Sequence, residues 1–312
     1  NPDLPDERIR RMLQVLDADT VIVDEQLKKR LVSVGFQGNL LGIEKAKAEP
    51  IHKNVLKERI TGIQNKDYLY GIFTSGSTGI PKNVVVSHQA VLDFMEDFCQ
   101  EFSVGCHDIL GNQAPLDFDV SVKDIYTGLL TGAKVQIIPR EYFSDPTTLM
   151  DYMADSKMTV LTWAVSAMCF VSVMNGFGYR TPDTVQKVLF SGEVLPIKHY
   201  RVWKKYLPQA MFVNLYGPTE VTCNCTYYVL DPKCEYELTD VIPIGKAFPN
   251  ETVFLLDETD QQVTEAGKAG EICVSSSELA LGYYNAPDKT AQVFVQNPLN
   301  HRYDERIYRT GD

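Results

Sequence analysis

Nine consecutive residues, Thr74-Ser75-Gly76-Ser77-Thr78-Gly79-Ile80-Pro81-Lys82, gather four hydroxyls, two glycines and a lysine. Gly76 and Gly79 admit backbone angles that other residues avoid, so bare N–H groups can turn toward an anion. The Ser and Thr hydroxyls add donors, and Lys82 adds a positive charge. The chemistry this composition suits is the holding of phosphate oxygens. A flexible surface loop can share it. The string is not a Walker loop, because Gly76-x-x-Gly79-x-x-Lys82 breaks that spacing and no Ser or Thr follows the lysine.

The elements around the loop must hold it still. Residues 68–73 read as a buried strand, and 84–86 as a second one. Ser87 is a good N-cap for a helix over 88–102. His88 opens that helix and reads as structural. Upstream, 1–66 is charged and mixed, with a short strand at 21–23 and a weakly amphipathic stretch at 51–60. Downstream, helix signals at 120–130, at 145–154 behind an Asp145 cap, and at 197–206 alternate with strand signals at 135–138, 159–162, 187–190 and 211–215. Such alternation predicts an α/β fold, a mostly parallel sheet covered by helices. After about residue 240 the helix signals stop, and 253–257 and 270–275 read as strands. The expected division is a 1–240 α/β core and a 241–312 β-rich subdomain.

The chain has 312 residues, 44% hydrophobic and 23% charged, so it can bury a sizeable core and disorder is excluded as its main state. A net charge of −11 argues against tracking a nucleic-acid backbone, though not against a small phosphate site. No run approaches the ~18 apolar residues needed to span a bilayer. Seven scattered cysteines, with no CxxC pair, read as reduced thiols in a cytoplasmic protein.

The hydroxyl-rich string resembles the phosphate loop of the adenylate-forming superfamily, which holds acyl-CoA synthetases, luciferases and the adenylation domains of nonribosomal peptide synthetases. Further strings match in the family's order: Phe118-Asp119-Val-Ser-Val, Ser191-Gly192-Glu193, Asn214-Leu-Tyr216-Gly-Pro-Thr-Glu220, Glu278-Leu-Ala-Leu-Gly-Tyr-Tyr284 and Tyr308-Arg-Thr-Gly-Asp312. The resemblance covers the chain from about residue 68 onward. It is strongest for amino-acid adenylation domains, and Ser191-Gly-Glu-Val-Leu-Pro196 is similar to D-alanine–carrier-protein ligases. Asn83 departs from the family, which usually has glycine after the loop lysine. The family's small C-terminal lid domain, with its hinge and catalytic lysine, is expected beyond Asp312. Residues 1–312 alone are therefore expected to bind nucleotide and to adenylate poorly.

The resemblance implies an ATP site, Mg²⁺ and a substrate carboxylate that attacks the α-phosphorus. Thr78, Lys82 and Glu220 are the catalytic candidates. Thr74, Ser75, Gly76, Ser77, Thr78, Gly79 and Lys82 would cradle the triphosphate, and Glu220 would hold the metal. Tyr216 would stack on the adenine, Asn214 and the backbone near Gly192 would read its edge, and Asp312 would take the ribose hydroxyls. Glu193, Gly217 and Thr219 complete the nucleotide set. The implied partners are an amino acid and a carrier protein with a phosphopantetheine arm, with no nucleic acid and no membrane. Tyr216 as a core aromatic and Glu220 as a solvated charge stay open, as do a CoA ligase for an aryl or fatty acid and a non-catalytic nucleotide-binding domain.

By the family's register the amino-acid pocket would be lined by Asp119, Val120, Lys123, Thr162, Leu189, Ser191, Leu215, Cys223 and Asn224. Asp119 would hold the α-ammonium, a role that an aryl or fatty acid does not need. Asp117 is its rival if 117–119 is extended. Lys123 lies one helical turn beyond Asp119. An acidic substrate could partner it, or it pairs with Asp117 or Asp119, or it points to solvent. Ser191 argues for a small neutral substrate instead.

Overall fold

The alternating signals become a seven-stranded sheet in the computed structural model, which describes residues 3–74 and 81–312. The chain forms two units, residues 1–88 with 281–292 and residues 89–280 with 293–312.

The larger unit holds the sheet. Its strands are β5 (Ile109–Asn112), β6 (Lys134–Ile137), β7 (Val160–Ala164), β8 (Lys187–Ser191), β9 (Met211–Tyr216), β10 (Thr226–Val229) and β11 (Lys246–Ala247), in the order β11-β10-β9-β8-β7-β5-β6. Five of them, β5 through β9, run parallel, and β10 and β11 add antiparallel pairs at one edge. The helices are α5 (His88–Glu101), α6 (Val120–Thr131), α7 (Pro146–Asp155), α8 (Val165–Val173), α9 (Gly176–Tyr179) and α10 (Ile197–Tyr206). The expected cap is present: Asp145 Oδ1 accepts the Thr147 amide at 3.1 Å, with Pro146 in the first turn of α7.

Alternation along the parallel strands divides the side chains between two faces. Leu161, Trp163, Val188, Phe190 and Phe212 join residues of α7, α8 and α10 in one core. Trp163 and Trp203 meet edge to face at 5.9 Å there, and their ring N–H groups donate to the carbonyls of Gly111 and Met168 at 2.8 and 3.0 Å. The same unit carries a four-stranded antiparallel sheet of β12 (Glu251–Leu256), β13 (Glu271–Ser276), β15 (Phe294–Gln296) and β16 (Arg306–Arg309), in the order β12-β13-β16-β15.

In the smaller unit, β1 (Thr20–Val23) and β2 (Asn39–Gly42) pair in parallel, joined by α2 (Glu25–Ser33) and preceded by α1 (Asp6–Leu16). Then come α3 (Ile43–Ala48), α4 (Lys53–Thr61), β3 (Tyr68–Thr74) and β4 (Lys82–Ser87). A three-stranded sheet runs β14-β4-β3, with β14 (Gly282–Tyr283) supplied from far along the chain. The buried strand here is β4. The expectation of a buried strand at 68–73 is corrected: β3 lies at the sheet edge and Tyr68 is 62% exposed. The expectation that helices stop after residue 240 is corrected too, because α11 (Pro287–Val293) follows β14.

Among the described residues no helix is long and apolar enough to cross a membrane. None of the seven cysteines, all among the described residues, forms a disulfide.

Candidate active site

Thr162 pairs with Leu189 and Ala164 with Ser191 across β7 and β8, while Leu189 pairs with Val213 across β8 and β9. With two-residue alternation, Thr162, Leu189, Ser191 and Leu215 therefore share the sheet face opposite the tryptophan core. All four are buried. Helix α6 packs against β5, β6 and β7.

Asp119 sits at the start of α6 but does not cap it: its carboxylate accepts no hydrogen bond from a described residue, and it is partly exposed. Asp117 is exposed in a turn rather than an extended segment, so the same-face argument for the rival lapses. Lys123 is 1% exposed. Its Nζ donates to Asn224 Oδ1 at 2.6 Å, and it forms no ion pair with Asp117 or Asp119 among the described residues. The expected carboxylate pairing and the solvent reading both give way to an amide partner from the loop after β9. Burial holds the Lys123 ammonium below the ordinary lysine range, against the fields of Cys223, Asp119 and Asp124. Cys223 Sγ contacts the Asp119 carbonyl at 3.3 Å. Asp124, which the sequence did not mark, is buried and accepts from Asn112 Nδ2 at 3.0 Å. Burial pushes its carboxyl up to about 6, with the Asn112 bond opposing.

The strand-to-loop passage from Asn214 to Cys225 brings the nucleotide candidates together. Asn214 donates from Nδ2 to the Pro243 carbonyl at 2.9 Å, which leaves its Oδ1 to accept. Tyr216 is partly buried at the end of β9, and its hydroxyl donates to Asp312 Oδ2 at 2.5 Å. Burial, then this bond, raises the Tyr216 hydroxyl above its ordinary range. Asp312 is placed by its neighbours: Gly311 N donates to Glu271 Oε1 at 3.0 Å, and Glu271 also takes Arg309 at 2.8 Å. Gly217 lets the loop close, since a Cβ there would stand 2.4 Å from Asn224 Cα and 2.7 Å from Cys225 N. Thr222 and Cys223 follow with φ of 46° and 78°. Thr219 and Glu220 lie in a short 3-10 turn, with Glu220 buried and its carbonyl accepting from Ala280 N at 2.9 Å. Gly192 takes φ +95° with open space where a Cβ would stand, and Glu193 beside it is exposed.

In the smaller unit, Thr74 ends β3, and Lys82 opens β4 with its Nζ 4.8 Å from the Tyr283 ring centroid. The expectations for Ser75, Gly76, Ser77, Thr78 and Gly79 lie outside the described residues. Asn83 is buried in β4, and its side chain lies over Gly71, where a Cβ would come within 2.4 Å of Asn83 Oδ1. A glycine one strand away thus makes the room that the asparagine needs.

The buried sheet face, the carboxylate at the start of its neighbouring helix and the tyrosine–aspartate pair stand where the resemblance to the adenylate-forming superfamily expects them. A family model described as AMP-binding enzyme matches residues 1–284, and the chain belongs to that family. It is similar to tyrocidine synthase 3 of Brevibacillus parabrevis, with 32% identity over all of this chain and 5% of that protein. Gramicidin S synthase 2 of Brevibacillus brevis is 30% identical over all of this chain and 7% of that protein. The chain thus spans only a small part of the length of these relatives. Among solved structures, the nonribosomal peptide synthetase FmoA3 (S1046A) matches with TM-score 0.82 and 26% identity, over 99% of this chain and 32% of that one. The mostly parallel α/β expectation holds.

Proposed function

We propose that this chain is the large part of an amino-acid-activating domain. An amino-acid carboxylate oxygen attacks the α-phosphorus of ATP and the bond to pyrophosphate breaks, leaving aminoacyl-AMP. The aminoacyl group then passes to the phosphopantetheine thiol of a carrier protein, releasing AMP. The observation that carries the reading is Asp119, a partly exposed carboxylate without a hydrogen-bond donor of its own at the start of α6. An α-ammonium supplies the missing donors, and an aryl or fatty acid does not. A structure of FmoA3 bound to α-methyl-L-serine-AMP, at TM-score 0.82 and 25% identity, supports the same chemistry.

The chain's own contribution is positioning and charge neutralisation. Asp119 holds the amine, with Val120, Lys123, Thr162, Leu189, Ser191, Leu215, Cys223 and Asn224 around the substrate. Tyr216 stacks on adenine, Asn214 Oδ1 and the backbone at Gly192 read its edge, and Asp312 takes the ribose while bonded to Tyr216. Thr74, Ser75, Gly76, Ser77, Thr78, Gly79 and Lys82 supply phosphate donors. Among the described residues no three His, Cys, Asp or Glu side chains form a metal cage. Mg²⁺ is commonly held by one or two carboxylates plus substrate phosphates, and the buried Glu220 is the carboxylate that would hold it here. The ion would neutralise phosphate charge. Use of ATP as a substrate agrees with a cytoplasmic reaction.

Amino-acid-dependent ATP–pyrophosphate exchange tests this in the intact native protein. Asp119→Ala is expected to abolish it. Acid-dependent AMP formation with a fatty or aryl acid and CoA, undiminished in Asp119→Ala, would replace amino-acid activation with the CoA-ligase reading.

A further inference from the structure

Asp312 follows the last strand of the four-stranded antiparallel sheet. β13 and β16 pair with Cys273 opposite Arg309, and beyond Arg309 the backbone stays bonded to β13. Thr310 N donates to the Ile272 carbonyl at 3.2 Å, and Ile272 N donates to the Asp312 carbonyl at 3.1 Å. Between these bonds Gly311 takes φ +78°, and its amide donates to a side chain, Glu271 Oε1, at 3.0 Å. The other oxygen of Glu271 is engaged by a cation: Arg309 Nε and Nη2 both donate to Oε2, at 2.8 and 2.6 Å. Arg309 Nη1 donates to Asp260 Oδ1 at 2.7 Å, from the connection between β12 and β13. Asp312 gives Oδ2 to Tyr216, and no described residue donates to its Oδ1.

We propose that Glu271 is a positioning residue for the nucleotide: held by Arg309, which Asp260 anchors in turn, it fixes the Gly311 amide and so sets where the Asp312 carboxylate meets the ribose hydroxyls. The inference rests on the reading of Asp312 as the ribose acceptor and adds the residues that aim it. The chemistry favours a carboxylate at 271. A neutral oxygen can accept the Gly311 amide, but an ionised group serves that amide and a guanidinium together, and charge-assisted bonds are roughly twice as strong as neutral ones. Gly311 has no Cβ and open space around it, so the chain can swing there unless its amide is held. The Glu271 and Arg309 side chains are each 26% exposed. A partly solvated ion pair contributes little to folding, so the effect falls on the aim of Asp312 rather than on stability.

The test is calorimetric binding of ATP and of 2′,3′-dideoxy-ATP to the intact native protein, which needs no amino acid and is therefore independent of amino-acid activation. Wild type is expected to lose roughly tenfold or more in affinity when both hydroxyls are absent. Glu271→Ala is expected to weaken ATP by roughly tenfold and to leave dideoxy-ATP within about twofold of wild type, because that ligand offers Asp312 nothing to hold. Glu271→Gln keeps the shape and an acceptor without the charge, and is expected to fall between. In pyrophosphate exchange the same variants raise the KM for ATP and leave kcat within about twofold. Equal affinity of wild type for the two nucleotides overturns the ribose reading of Asp312, and the positioning role with it, without any variant having to fold. Discrimination by wild type, together with a Glu271→Ala that binds ATP normally or weakens both nucleotides alike, overturns the positioning role alone. If Glu271→Ala does not fold, the isosteric Glu271→Gln decides between the same outcomes.

Discussion

Glu251 opens β12 and Glu278 lies just past β13, in strands paired so that Glu251 faces Ser276. They are 7% and 0% exposed, and none of their four carboxylate oxygens receives a hydrogen bond from a described residue. The charges around them are Asp93 and Asp97 on α5, and Cys225, a buried thiol, also adjoins; none of these is a cation. Burial first, then mutual repulsion, pushes the Glu251 carboxyl far up. Burial and the nearby aspartates bring Glu278 to about 8. The pair therefore keeps protons that the unfolded chain has released above the ordinary 4.5. Its contribution is full below that value and is lost as pH rises toward 8. At ~1.36 kcal/mol per tenfold change, one carboxyl moved that far loses several kcal/mol, of order 3–5 after relaxation and water entry. Urea unfolding followed by the fluorescence of Trp163 and Trp203, both buried in this unit's core, reads it directly. The window is pH 6.5–8.5, above the Asp124 transition at about 6. Wild type is expected to lose stability across it, and Glu278→Gln to flatten the slope. A wild type with no pH dependence there, or a variant with the wild-type slope, would refute the argument that burial keeps these carboxyls protonated.

Gly217→Ala places a Cβ 2.4 Å from backbone that cannot yield cheaply, and is expected to lower unfolding stability by about 1–3 kcal/mol in the same urea assay; an unchanged midpoint would contradict the close approach. Tyr216→Phe keeps the ring and loses the Asp312 bond, so the KM for ATP should rise by less than about tenfold, and by more in Tyr216→Ala; equal effects would remove the stacking role. Lys82→Ala should raise the KM for ATP by roughly tenfold or more in pyrophosphate exchange, and unchanged affinity would detach the loop lysine from the phosphates.

Much of the fold was readable because helix and strand periods differ, and because Asp145 marks a helix start by its own chemistry. The β1–α2–β2 arrangement was not, since Asn39–Gly42 is too short and too plain to signal a strand before its partner is known. Residues 68–73 looked buried by their apolar run, yet an edge position is a property of pairing rather than of sequence. For the candidate site, one face for Thr162, Leu189, Ser191 and Leu215 follows from strand register. Lys123 could not be placed from its own helix, because its partner stands about a hundred residues away. Glu278 sat inside a matched string without any sign that Glu251 would be its neighbour. A buried carboxyl pair has no local pattern.

The pairing of β14 with β4 sets a schedule for synthesis. Val84 waits for Tyr283, about 200 residues later, before its second strand neighbour exists. At roughly 5–20 residues per second, β4 leaves the ribosome some 10–40 s before that edge can be covered. Meanwhile the chain between them, Gln89–Ala280, makes up most of the larger unit and can collapse on its own contacts. Vectorial synthesis thus lets most of the larger unit form before β4 gains β14, while that unit's own strands β15 and β16 follow later still. Until β14 pairs, Val84, Val85 and Val86 present an unpaired apolar strand edge, the kind of surface that nascent-chain chaperones hold.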